Sequence, residues 1–199
     1  MKLHYSPTSP YVRKVLACAI ARGIDGQIER VRTNPHQSPP SLLADNPLSK
    51  VPCLVTDDGL ALFDSPVICE YLDSVGDGPP MFPPGAARWR ALKLQALGDG
   101  ILDAAVGRRG EQGKPREAAR DAWMERQKTA VERAVALLES EPPHRVPDIG
   151  SIAVACALGY LDFRFAAEPW RERHPNLAAW YEEFSAHPAL ARTAPDDAG

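Results

Sequence analysis

Apolar residues recur along this chain with two different rhythms, and the change comes near residue 75. Before it the predicted elements are short and alternate in type. Lys2 to Tyr5 reads as a strand. Val12, Val15, Leu16, Ala19 and Ile20 repeat at helical spacing across Pro10 to Arg22, and Gly23 marks the end of that helix. Gln27 to Arg32 alternates around Ile28 and Val31 as a second strand, and Ser41 to Asp45 is a short helix or a turn. Cys53 to Thr56 and Leu60 to Phe63 read as a hairpin closed by Asp57-Asp58-Gly59, and Pro66 to Ser74 as a helix. After it every periodic segment is helical: Ala86 to Val106, Arg116 to Glu139, Ile152 to Ala167 and Leu177 to Ala186. In the second of these Ala122, Met124, Val131, Val135 and Leu138 form an apolar face, opposite Glu125, Arg126, Lys128 and Glu132.

The order βαβ(α)ββα over about 75 residues is that of a thioredoxin-like layer, a four-stranded mixed sheet with helices on both faces. The fold class is therefore an α/β domain followed by an all-α domain. The expected division is residues 1–75, a Pro/Gly-rich linker over 76–85 that holds Pro79, Pro80, Pro83, Pro84, Gly76, Gly78 and Gly85, and a helical domain over 86–199.

Charge and composition narrow the function classes. Lys and Arg number 23 against 26 Asp and Glu, so the net charge is -3, without the basic excess that marks a nucleic-acid binder. Arg108, Arg109, Lys114 and Arg116 make one local basic patch, read as ordinary surface. Apolar residues at 44% are enough to build cores, which argues against wholesale disorder. The apolar run Ile152 to Leu161 is half of the roughly 20 residues that a membrane helix needs, and Met1 to Tyr5 lacks the apolar core of a signal peptide. A cytoplasmic chain is expected, with no membrane and no nucleic-acid partner. Cys18, Cys53, Cys69 and Cys156 form no CxxC pair, and the five histidines show no metal-ligand spacing, so neither a disulfide framework nor a metal site is expected.

Three places could carry chemistry. Ser9 precedes Pro10 at the start of the first helix, where it caps the backbone and also sits at the positive end that attracts anions such as a thiolate. Lys50-Val51-Pro52-Cys53-Leu54 opens a strand on a proline, and a cis bond there would turn the Val51 N–H and C=O outward to pair with an extended peptide. Asp64-Ser65-Pro66 is a second Ser-Pro helix start, suited to a carboxylate. Each Ser-Pro start alone is compatible with simple capping, and the strand-opening proline with an ordinary trans bond. Together, in one small αβ layer, they describe a ligand-shaped groove.

These motifs resemble the soluble glutathione S-transferases, in particular the serine-type bacterial YibF-like branch. Asn46-Pro47-Leu48-Ser49-Lys50-Val51-Pro52-Cys53-Leu54 is similar to the family stretch NP-x-G-K-V-P-x-L. Phe63-Asp64-Ser65-Pro66-Val67-Ile68-Cys69-Glu70-Tyr71-Leu72 is similar to its x-[ED]-S-x-x-I-x-x-Y-L helix start. The segments Ala96 to Ala104 and Ser151 to Cys156 extend the likeness over essentially the whole chain. The resemblance implies glutathione as co-substrate, with Ser9 at its sulfur and the Val51 backbone pairing with the cysteinyl unit ahead of a cis Pro52. It also implies Lys50 near the glycyl carboxylate, Asp64 and Ser65 at the γ-glutamyl end, and Asp99 reaching glutathione across a homodimer interface.

Two departures stand out. Ser49 replaces a common glycine, and a capping box opened at Ser151 lacks its acidic half because Val154 stands there. The implied activity is conjugation of the glutathione thiolate to an electrophilic small molecule in detoxification, with Ser9 as the catalytic group. The electrophile would sit between Ser9 and the helical domain, where Tyr11, Trp123, Tyr160 and Phe163 are candidates to face it. Two other readings stay open: a glutathione-binding or regulatory protein without turnover, and a thiol–disulfide oxidoreductase. The second of these needs a cysteine where Ser9 stands.

Overall fold

The computed structural model describes residues 1–195. Residues 196–199 of the expected helical region lie outside them. The first part holds β1 (Lys2–Tyr5), α1 (Pro10–Ala21), β2 (Glu29–Arg32), α2 (Pro40–Asp45), β3 (Cys53–Val55), β4 (Ala61–Leu62) and α3 (Ser65–Val75). The strands form one sheet in the order β2-β1-β3-β4. β2 lies parallel to β1, and β3 and β4 each run antiparallel to the neighbour before them. Leu3 and His4 are both buried and point to opposite faces of β1, so the sheet is covered on both sides. His4 is held by Thr33 at 3.0 Å and by Asp45, at the end of α2, at 2.8 Å.

The rest is helical: α4 (Gly85–Glu111), α5 (Ala118–Ser140), α6 (Ile149–Arg164), α7 (Pro175–Ser185) and α8 (Pro188–Ala191). This is the expected α/β layer followed by helices. Several ends differ from expectation. α4 continues beyond Val106 because Gly107 is not a stop: it is where the Trp123 indole lies, 2.9 Å from the position a Cβ would take. α6 starts three residues earlier than its apolar run. Its cap is Asp148, whose carboxylate accepts from Ser151 N at 2.8 Å while Ser151 Oγ accepts from Asp148 N at 2.9 Å. The reciprocal box is thus complete one turn upstream of the frame opened at Ser151. Ala122 is exposed; the buried stripe of α5 is Val131, Val135 and Leu138.

The central contact of the helical part needs glycine. Gly150 of α6 sits against Ala91, and Gly98 of α4 against Ala153, so the two helices run in the same direction at backbone contact. A Cβ on Gly98 would stand 2.7 Å from the Ala153 carbonyl carbon and 2.9 Å from its oxygen. Gly78 docks the linker in the same way, with its N–H on the Arg22 carbonyl at 3.2 Å.

α1 is the element between the two parts, packed on α3 on one side and on α6 and α8 on the other. Lys14 of α1 has a fully buried side chain, and its ammonium meets both carboxylate oxygens of Asp99 in α4, at 2.6 and 2.7 Å. The pair joins the sheet layer to the helices by a bond that the buried Lys14 cannot exchange for water.

Two outcomes follow for stability, both read from urea unfolding. Gly98→Ala should cost about 1–3 kcal/mol, as overpacking against rigid backbone does. Gly100→Ala, with open space around it, should instead stabilise by up to about 1 kcal/mol. Asp99→Ala should cost about 3–5 kcal/mol by stranding the buried Lys14, and Lys14→Met combined with Asp99→Leu should recover most of that loss.

Candidate functional site

Strand register brings three distant segments to one end of the sheet. β1 and β3 pair with His4 opposite Cys53, so the next positions set Tyr5 opposite Pro52 and Ser6 opposite Val51. β4 pairs with β3 with Leu62 opposite Leu54, which carries Asp64 to the level of Pro52. The loop leading to Ser9, the Val51-Pro52 step and the start of α3 therefore converge.

Ser9 is the N-cap of α1, with extended backbone, and its Oγ accepts from Val12 N at 3.3 Å. A hydroxyl has one proton to donate besides its lone pairs. Among the described residues that proton has no protein acceptor, so the cap bond leaves it for a ligand. The Val51–Pro52 bond is cis. Neither the Val51 N–H nor its C=O has a hydrogen bond among the described residues, although Val51 is only 9% exposed. Lys50 is exposed, and its carbonyl is fixed by Asn46 Nδ2 at 3.0 Å. Ser49 occupies the left-handed region at φ 50, which explains why glycine suits that position. Its hydroxyl compensates by donating to the Pro35 carbonyl at 3.0 Å.

At the second helix start the capping residue is Asp64, one position earlier than the Ser-Pro reading suggests. Ser65 is the first residue of α3 and is buried. The Asp64 carboxylate makes no capping bond and is exposed at the positive end of α3. Asp99 lies within one chain's own electrostatic reach of Asp64. Burial raises its carboxyl against the pull of Lys14, and Asp103 and Asp64 add to the rise.

The helices supply the wall opposite Ser9. The Tyr11 hydroxyl donates to Asp103 of α4, and burial together with that bond pushes the phenol far above its ordinary range. Tyr160 of α6 is 6% exposed and, with Ser9, Arg13, Cys156 and Thr193, lines a cavity of about 10 Å³. Phe163 lies under the Arg164 guanidinium, 3.8 Å from its centroid. Trp123 is elsewhere, over Gly107. A larger groove of about 410 Å³ lies at the far end of α4, around Arg108, Lys114 and Arg120. Three cations of the basic patch are paired, Arg108 with Glu168, Lys114 with Glu111 and Arg116 with Asp121, while Arg109 donates to the neutral Gln112 side chain.

All four cysteines are buried free thiols. Burial holds Cys53 and Cys156 up to about 11, and a bond with Cys69, then burial, raises Cys18. Among the described residues no group of three His, Cys, Asp or Glu could hold a metal, and no helix is long and apolar enough to cross a membrane. Periodicity alone did not single out Arg13, Lys14 or Asp103. The signal available was Arg13-Lys14 inside the apolar pattern of α1, where two charges interrupt a run of buried positions.

The arrangement matches known proteins. The family model described as "Glutathione S-transferase, N-terminal domain" matches residues 8–75, and "Glutathione S-transferase, C-terminal domain" matches residues 121–183. The uncharacterized GST-like protein YibF of Escherichia coli (strain K12) is 35% identical over 204 residues, covering 100% of both chains. A glutathione transferase family member from Pseudomonas fluorescens Pf-5, crystallised with bound glutathione, superposes with a TM-score of 0.90 at 43% identity, covering 98% of each chain. A glutathione S-transferase from Methylobacillus flagellatus KT, also with glutathione bound, gives a TM-score of 0.89 at 33% identity over 98% of this chain and 99% of that one. On its sequence, its fold and the convergence of these segments, the chain belongs to the glutathione S-transferase family.

Proposed function

We propose that this protein is a glutathione transferase that conjugates the glutathione thiolate to an electrophilic small molecule, with Ser9 stabilising the thiolate. The observation that carries the reading is the Ser9 hydroxyl: its lone pair caps α1 through Val12, and its proton remains to be donated to sulfur. Glutathione bound in the Pseudomonas and Methylobacillus relatives supports the choice of co-substrate. Residues 1–75 form the glutathione-binding domain in this reading, 76–85 the linker, and 86–199 the domain that lines the electrophile site. The cysteinyl unit pairs with the Val51 backbone beside Pro52, and the ammonium of Lys50 faces the glycyl carboxylate. Ser65 and the N-terminus of α3 receive the γ-glutamyl carboxylate, and Asp64 its ammonium. Asp99, closed on Lys14, adds its negative field to that of Asp64 instead of making the first contact.

In the reaction a sulfur lone pair forms the new bond to the electrophilic atom; in a substitution the leaving group departs with the electron pair of the bond that breaks, and in an addition the displaced π pair stays on the electrophile and takes a proton from water. The proton released when the thiol ionises goes to solvent. The polarised end of α1 and the Ser9 O–H both favour the charged form. A thiol–disulfide role has no exposed thiol to use among the described residues. Four free cysteines and a glutathione substrate suit a reducing compartment, the cytoplasm, where conjugation would serve detoxification.

We also propose a homodimer. Val67 of α3 and Trp89 of α4 are 47% and 71% exposed, and they flank the Arg88–Glu70 ion pair that ties the two helices together. An indole left this open on a helix face suits a partner copy.

Kinetics test the serine mechanism. A hydrogen bond to a charged group is worth about 1.5–3 kcal/mol, so Ser9→Ala should raise the pKa of bound glutathione by about one to two units. Turnover near neutral pH should fall accordingly while glutathione affinity changes little. Ser9→Gly keeps most of the helix stability without the hydroxyl. If it restores turnover, the loss in Ser9→Ala is structural. Wild-type turnover in both variants would reduce Ser9 to a cap, and glutathione binding with no turnover of any electrophile by the wild type would favour the non-catalytic reading. For assembly, light scattering at micromolar concentration should return twice the chain mass, and Trp89→Asp should return the single-chain mass.

A further inference from the structure

Arg13 stands one turn into α1 and is 7% exposed. Its Nη2 donates to the Leu190 carbonyl of α8 at 3.3 Å, and the guanidinium lies beside the Tyr181 hydroxyl of α7 and against Gly159 of α6. The Tyr181 hydroxyl apart, Nε and Nη1 have no hydrogen-bond partner among the described residues. Among the described residues no carboxylate pairs with it, while its neighbour Lys14 is closed on Asp99. Arg13 and Lys14 against Asp99 leave one net positive charge buried at the start of α1. A buried cation without a counter-ion is costly, and the positive end of a helix makes it more so. Packing alone is a poor account of such a residue, since an apolar side chain would fill the space without that cost.

Among the described residues no free carboxylate balances it: Asp162, which acts on Tyr181, is closed on Arg171. α6 presents Cys156 and Tyr160, and α7 presents Tyr181; burial raises all three, so they are neutral near pH 7. Among the described residues the α8 end contributes the Leu190 carbonyl, Thr193 and Pro195. The next turn of α1 holds the Lys14–Asp99 pair. The opening that remains is toward Ser9: Arg13 and Ser9 line the same cavity, about 10 Å³, room for one water at most.

We propose that Arg13 is the buried counter-charge of the glutathione thiolate, acting through the cavity behind Ser9 to hold the bound sulfur in its ionised form. The proposal rests on the glutathione reading above and deepens it. Ser9 supplies the hydrogen bond, and Arg13 supplies a charge that solvent cannot screen. Only the S–H bond breaks on binding, its proton passing to water, and the field of Arg13 favours that ionisation without touching the sulfur.

The test compares wild type, Arg13→Met and Arg13→Lys, each with glutathione and with S-methylglutathione, which has no ionisable thiol. The thiol pKa in the complex is read from the ultraviolet absorbance of the thiolate against pH. It should rise by about one unit in Arg13→Met and stay near wild type in Arg13→Lys, which keeps the charge. At a pH below both values the thiolate fraction, and kcat/KM with it, should fall about tenfold in Arg13→Met. Affinity for S-methylglutathione should stay within about twofold in all three proteins. An unchanged pKa in Arg13→Met, an equal rise in both variants, or loss of S-methylglutathione binding would overturn the proposal, the last two because they mark a packing role. Failure of the wild type to bind glutathione would remove both this inference and the reading beneath it. A low thiol pKa that depends on Arg13, in a protein that turns nothing over, would sustain the inference and defeat only the conjugation chemistry.

Discussion

Two cations on one turn of a buried helix are the constraint around which the molecule is arranged. Arg13 and Lys14 interrupt the apolar face of α1, and α1 is packed on both sides, so neither charge can reach bulk water. Lys14 finds its counter-ion 85 residues away in α4, and that bond commits α4 to lie across the start of α1. With α4 placed, the close glycine contacts at Gly98 and Gly150 bring α6 alongside, and α6 carries Cys156, Gly159 and Tyr160 to the back of Ser9. The wall of the site is thus a consequence of satisfying one buried charge. The other charge, Arg13, has no carboxylate partner among the described residues and lines the cavity behind Ser9.

The opposite side of the site comes from the sheet. Loops at the end of β1, before β3 and after β4 meet because the register of two antiparallel pairs leaves no other arrangement. What those loops present is mostly backbone and helix termini: the free Val51 amide and carbonyl, the start of α3, and the capped start of α1. Such groups are fixed by the fold and need no side-chain reorganisation when a ligand arrives, which is the preorganisation that binding an extended, charged tripeptide requires.

In the proposed reaction Ser9 serves stability and chemistry with one atom. Its acceptor capacity is used internally and its donor is not, so capping orients the hydroxyl for a ligand instead of competing with it. At the far end of α4 Arg108, Lys114 and Arg120 close on nearby acids, although Arg108 Nε stays without a partner.

Much of this was legible in the chain. Period-two and period-3.6 patterns located the four strands and most of the helices, and the Ser-Pro, Val-Pro and Asp-Ser-Pro motifs identified the three segments that converge. These are local properties: a strand, a cap or a proline turn is decided by a few adjacent residues. The helix ends were less legible where a residue is chosen for a distant neighbour. Gly107 looks like a stop, yet it is in the helix to admit Trp123, and the cap of α6 lies at Asp148, outside the apolar run that suggested Ser151. The pairing of Lys14 with Asp99, the isolation of Arg13 and the meeting of Tyr11 with Asp103 had no local signature. Whether a charge is paired depends on which groups share its low-dielectric surroundings, and only the packing of α1 between the sheet layer and the helices determines that.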